Sequence, residues 1–75
     1  MARQLKFSEN LKNLRLGNNK FSKKFTQLQI AEQTGIARSM ISDYEHGIKE
    51  PTLSAVAKLA KFFDLTLDEL CYGRK

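Results

Sequence analysis

One cysteine, one proline, one histidine, four glycines and no tryptophan in 75 residues are scarcities that each close off a class of protein. With Cys71 alone no internal disulfide can form, which fits a reducing, cytoplasmic setting. No apolar run approaches the roughly 20 residues of a membrane span, and no signal-peptide pattern opens the chain. The lone histidine, His46, stands beside Gly47 with no Cys or carboxylate pattern around it, so it reads as a helix cap or solvated residue. With no metal-ligand cluster, no glycine-rich phosphate loop and no nucleophile set beside a base, neither catalysis, a metal nor a cofactor finds support. Strand-like alternation does not last beyond a few residues, and an all-α domain is expected. The length allows one domain with one modest core. It leaves no room within it for a ligand-sensing domain, so regulation is expected through dimerisation, concentration or a partner protein.

The formal net charge is +5, and it is unevenly spread. Residues 1–25 carry Arg3, Lys6, Lys12, Arg15, Lys20, Lys23 and Lys24 against Glu9 alone. Residues 26–50 reverse the sign, with Arg38 and Lys49 against Glu32, Asp43, Glu45 and Glu50. A basic chain of this size suggests a polyanionic partner, and nucleic acid fits better than an anionic membrane because no basic amphipathic helix stands out.

The stretch from Thr26 to Gly47 organises the rest. Ala31 is small and lies on the apolar side of a first short helix, Gly35 follows where the chain must turn, and Ile41 is placed to pack back against Ala31. Glycine is the cheapest residue where φ must be positive. Ile30, Ile36 and Tyr44 add apolar cover at helical spacing. These intervals suit two helices crossing in a helix-turn-helix. Thr26 and Gln29 form a T-x-x-Q capping box.

Around this unit the remaining elements read as follows. Residues 1–6 form a short basic arm, either a frayed terminus or a strand of charge along phosphates. Ser8 is the expected N-cap of a first helix running to about Leu16, with Phe7, Leu11 and Leu14 inward. Gly17, Asn18 and Asn19 are turn formers that stop it, and Phe21 tucks the following loop against the core. Pro51 and Thr52 start a fourth helix with Leu53, Val56, Ala57, Leu59, Ala60 and Phe63 as its apolar face. Thr66 and Glu69 make a second capping box for a short fifth helix, and Phe62 and Leu65 seal the junction before it. Leu67, Leu70, Cys71 and Tyr72 exceed what one small core needs. They read as a dimer face, or as terminal residues folding back on the core. Nothing near Cys71 in the sequence lowers its pKa, which argues against a redox sensor.

The markers TQ at the opening of helix 2, A-x3-G-x5-I, Y-E-x-G closing helix 3, and the EPT that follows resemble one family in combination. The chain looks like the DNA-binding domain of Cro and the phage repressors, the XRE-like small regulators, over roughly Phe7 to Leu70. The resemblance implies a compact five-helix, lambda-repressor-like fold and a dimer bound to double-stranded DNA. It implies that Arg15 pairs with Glu45 to orient helix 3, and that Gln27, at the helix N-terminus with Thr26, clamps a phosphate. It places Arg38, Ser39 and Asp43, with Met40, where the family's base-reading side chains sit. Arg38 could donate twice to guanine, and Asp43 could accept from a cytosine or adenine amino group. Ser42 and Lys49 fall where phosphate contacts are expected. Two departures stand out. Ala37 replaces the usual Ser or Thr cap, and residues 17–24 lengthen the first connection, bringing Lys20, Lys23 and Lys24 just before helix 2. That insertion either supplies backbone charge that helix 3 lacks or is a solvated lysine-rich loop.

The expectation is a cytoplasmic, dimeric, sequence-specific transcriptional regulator, a repressor, on a pseudo-palindromic operator, with no small-molecule ligand. The slightly acidic reading segment and the apolar C-terminus keep a second possibility open, a protein-binding adaptor or antitoxin-like partner using the same fold. A structural nucleoid protein is a third.

Overall fold

The structure, a computed structural model, describes residues 6–73. The terminal residues 1–5 and 74–75 lie outside it, and with them most of the expected basic arm. Five helices follow one another: α1 (Phe7–Arg15), α2 (Gln27–Thr34), α3 (Arg38–Glu45), α4 (Leu53–Phe63) and α5 (Leu67–Tyr72). No strand occurs among the described residues. Helix α1 packs on α3 and α5, α2 on α3 and α4, and α4 on α5. Leu11, Ile30, Ile41, Leu59, Phe63 and Leu70, drawn from all five helices, are fully buried at the centre.

Helix α1 begins two residues earlier than its expected cap residue suggests. Lys6, not Ser8, is the N-cap, and it makes no side-chain capping bond. Tertiary contacts set this start. Phe7 must be helical to bury its ring, 3% exposed, edge-on to Tyr44 at 5.8 Å between centroids. The Lys6 N–H donates to the Cys71 carbonyl at 2.8 Å, and Asn10 Nδ2 donates to the Leu70 carbonyl at 2.9 Å. The start of α1 and the end of α5 are thereby tied together.

Helix α4 is also shifted. Thr52 is its cap, accepting from the Ala55 N–H at 3.1 Å, so Pro51 precedes the helix instead of opening it. The register that follows turns Ala55, Val56, Leu59, Ala60 and Phe63 inward and leaves Leu53 (74% exposed) and Ala57 outside.

The lengthened connection is built around Asn19, which is buried. Its amide donates to the carbonyls of Leu14 and Lys23, and its oxygen accepts from the Phe21 N–H at 2.9 Å. An asparagine satisfied on both sides in this way ties the loop down as an internal cap would. Phe21 remains 46% exposed, yet it meets Phe25 and Phe62 at the margin of the core. The connection is an ordered part of the fold, closed by the Phe25 N–H on the Arg15 carbonyl at 2.8 Å.

Candidate nucleic-acid interface

The turn between α2 and α3 sets the interface. Gly35 caps α2 at φ 75° and ψ 8°, with its N–H on the Ala31 carbonyl at 2.8 Å. A Cβ built there meets nothing within 4 Å, so backbone conformation alone calls for glycine. Ala31 and Ile41 both lie in the core beneath the crossing. Helix α3 starts at Arg38 after Ala37, which provides no side-chain cap. At its other end His46 donates through Nδ1 to the Ser42 carbonyl at 2.7 Å, completing α3 as a cap.

Three elements meet at Glu45. Arg15 Nε and Nη2 donate to its two carboxylate oxygens at 2.6 and 2.9 Å, a bidentate fork. Gln27 Nε2 donates to the same carboxylate at 3.3 Å, and Arg15 Nη1 reaches the Phe25 carbonyl at 3.1 Å. The Glu45 side chain is only 3% exposed and Arg15 15%. The hydrogen bond to Glu45 raises the Arg15 pKa from an already high value, so this guanidinium stays charged. This network fixes the end of α3 against α1 and against the N-terminus of α2. It also engages the Gln27 side chain at the first turn of α2. Thr26 and Gln29 close the capping box there at 3.0 and 2.8 Å.

The outward side of α3 presents Arg38 and Ser39 exposed and Ser42 and Asp43 half-buried. Together with Gln27 they line one shallow depression. A second depression joins Arg38 to Lys24, Thr26, Gln27 and Leu28, beside Arg15, Leu16 and Phe25. The lysines of the insertion divide. Lys24 lies on the Arg38 side, whereas Lys23 stacks over Phe25 at 5.4 Å and lines a depression with Phe21, Glu32 and Phe62 that no α3 residue enters. Lys20 stacks over Phe21 at 5.1 Å and sits 3.7 Å from Asp64. Lys23 and Lys24, though adjacent, thus line different depressions.

Two of the four acidic side chains of residues 26–50 are in ion pairs. Glu45 is held by Arg15, and Asp43 Oδ2 lies 3.5 Å from Lys49 Nζ. Glu32 lines the depression with Lys23, and Glu50 lines one with Lys6 and Lys49. Met40 is half-buried against the core and accepts from Lys49 Nζ through its sulfur at 3.7 Å. Exposed Leu28, 53% accessible beside Arg38, is an element of this surface that periodicity does not single out.

The proposed dimer face loses one member. Leu70 is 0% exposed, because the short α5 docks this side chain into the core while α1 bonds its backbone carbonyl. Leu67 (41%) and Tyr72 (37%) remain exposed and Cys71 half-buried. Burial, and then the nearby Asp68 charge, push the Cys71 thiol up. Among the described residues no group of His, Cys, Asp and Glu could hold a metal ion, and no helix is long and apolar enough to cross a membrane.

Comparison with known proteins agrees with this geometry. Residues 11–70 match the helix-turn-helix family HTH_3. The chain is 38% identical over 71 residues to the HTH-type transcriptional activator BcrR of Enterococcus faecalis, covering 95% of this chain and 32% of that protein. It is 36% identical over 67 residues to the cryptic phage CTXphi transcriptional repressor RstR of Vibrio cholerae, covering 89% of this chain and 55% of that one. A transcriptional regulator from Listeria innocua superposes with a TM-score of 0.75 at 29% identity, covering 91% of this chain and 59% of that one. The chain thus spans between a third and about three-fifths of these relatives' lengths. One relative is named an activator and another a repressor, so the expectation of a repressor narrows to a regulator of either sign. With its match over most of its length and its five-helix architecture, the chain belongs to the Cro-like, XRE-type helix-turn-helix family, a family of transcriptional regulators and not of enzymes.

Proposed function

We propose that this chain reads double-stranded DNA in a sequence-specific manner as a transcriptional regulator, with α3 in the major groove. The observation that carries the reading is the exposed face of α3, where Arg38, Ser39, Ser42 and Asp43 share a depression with Gln27 at the N-terminus of α2. A helix width fits that groove, and donors and acceptors on one helix face can address neighbouring base pairs. Arg38 donates to guanine, Asp43 accepts from an amino group, Ser39 adapts to either, and Met40 contributes apolar contact at the margin. The backbone N–H groups of Gln27 and Leu28 at the start of α2, with Lys24 and Ser42, hold phosphates.

The reading includes a homodimer on half-sites about one helical turn apart, with Leu67, Cys71 and Tyr72 contributing to its contact. The adaptor alternative keeps the exposed Leu67 and Tyr72 in its favour, while its other features are reduced. Two of the four acidic side chains of the reading segment, Glu45 and Asp43, are paired, and Leu70 belongs to the core.

Selection from random duplex DNA by the purified protein at about 0.15 M salt, a range where phosphate contacts alone bind weakly, tests the proposal. An enriched inverted repeat supports a dimeric reader and gives the half-site spacing. Retention without enrichment points to non-specific binding, and no retention by folded protein refutes the proposal.

A further inference from the structure

The C-terminal turn of α3 brings a cation back over the face that the helix presents. Gly47 takes φ 70°, and the Ile48 N–H reaches back to the Asp43 carbonyl at 2.9 Å while the Gly47 N–H bonds Tyr44 at 3.2 Å. This six-to-one closure is the helix-ending pattern that left-handed glycine permits. It curls the chain so that Lys49, six residues after Asp43, returns along α3. Its ammonium then sits between Asp43 Oδ2 at 3.5 Å and Met40 Sδ at 3.7 Å. Asp43 is the less exposed partner, at 28% against 54% for Lys49.

An aspartate aimed into a groove lined by phosphates is repelled unless a cation compensates it. A lysine that engages one carboxylate oxygen removes most of that repulsion and leaves the other oxygen free to accept a hydrogen bond. We infer that Lys49 is a specificity-determining positioning residue: it neutralises and orients Asp43 so that the carboxylate can accept from a cytosine or adenine amino group in the groove. Its main role is then toward Asp43 and only secondarily toward a phosphate. Met40 contributes by giving the ammonium a second, soft contact that holds it over this turn of the helix.

The inference rests on the DNA-reading proposal, and the two fail differently. Operator affinity and base preference are measured for wild type, Lys49→Ala, Asp43→Asn and the double variant, on the duplex selected by the wild type. Asparagine keeps the size of the aspartate and removes its charge, and neither residue belongs to the core, so the fold is expected to stay intact; thermal unfolding checks this. Lys49→Met, which preserves the apolar stem, separates the loss of charge from the loss of packing. Lys49→Ala and Lys49→Met are expected to weaken operator binding by on the order of tenfold, within the range of directly coupled neighbours, and to blur preference at the base pair that Asp43→Asn also blurs. In the Asp43→Asn background, removal of Lys49 is expected to cost under about threefold, since the charge it compensates is already gone. Equal losses in both backgrounds, uniform across base positions and with a reduced salt slope, make Lys49 a phosphate contact and overturn the inference alone. If the wild type selects no duplex, both the inference and the proposed function fall.

Discussion

Removing Arg15 tests the junction that orients the reading helix. Arg15→Met keeps most of the apolar stem and deletes the fork that holds Glu45 at 2.6 and 2.9 Å. The carboxylate left behind is 3% exposed, with Gln27 Nε2 at 3.3 Å as its remaining partner. Breaking a buried pair from one side costs about 3–5 kcal/mol. The 15% exposure of Arg15 lets some water in, so the lower end, about 3 kcal/mol, applies. The Phe25 carbonyl also loses its Arg15 donor. For a domain of this size, total stability is roughly 4–11 kcal/mol, so this single change takes a large share. Glu45→Gln should be milder, about 1–2 kcal/mol, because its amide oxygen still accepts and Arg15 can reach water. In the double variant the uncompensated charge is gone, and part of the Arg15→Met loss should return. Urea unfolding followed by helical circular dichroism gives all four stabilities. Single losses below about 0.5 kcal/mol that simply add would mean an exposed, screened pair and would refute the argument.

Other positions carry sharper, smaller expectations. Gly35→Ala should cost about 1–2 kcal/mol, the penalty of a left-handed residue, since no atom lies within 4 Å of the added Cβ; a loss above about 3 kcal/mol in the same urea assay would mean a steric clash instead. Lys24→Ala should reduce the slope of log affinity against log salt by about 0.9, the value for one phosphate contact. Lys23→Ala should leave that slope unchanged, because this side chain stacks on Phe25 on the other side; equal effects would contradict the division. The pKa of Cys71 is raised by burial and then by Asp68. A raised thiol pKa means that the native state keeps the proton longer, so this group's contribution to stability is full below the unfolded pKa and is lost as pH rises through the folded value. The pH profile of iodoacetamide alkylation should accordingly lie at higher pH for native than for urea-unfolded protein, and coincident profiles would contradict the shift.

The parts of this molecule that local chemistry governs could be read in the chain. The Thr26–Gln29 and Thr66–Glu69 capping boxes form as their spacing implies, and Gly35 takes the left-handed conformation that its turn requires. The start of α1 could not be read this way. Ser8 is the better cap by residue type, but burial of Phe7 against Tyr44 and the bond from Lys6 to Cys71 outweigh it. Asn19 has the composition of a turn former, whereas its function as the buried anchor of the insertion depends on carbonyls of Leu14 and Lys23 brought together by folding. Helix α5 is only six residues long and four of them are apolar, so periodicity cannot separate Leu70 from Leu67 and Tyr72. Docking on α1 makes that choice. The proximity of Lys49 to Asp43 likewise follows from the left-handed turn at Gly47, which spacing alone does not reveal.

The central claim is that the outward face of α3 reads bases, and Arg38, exposed at its first turn, tests it most directly. The measurement is the affinity of wild type and Arg38→Ala for the selected duplex and for every single-base variant of one half-site. The account predicts a loss of about 1–3 kcal/mol confined to discrimination at one base pair, with preference at the other positions retained. A uniform loss across all variants, with every preference unchanged, would make Arg38 a backbone contact and contradict its place among the base-reading residues.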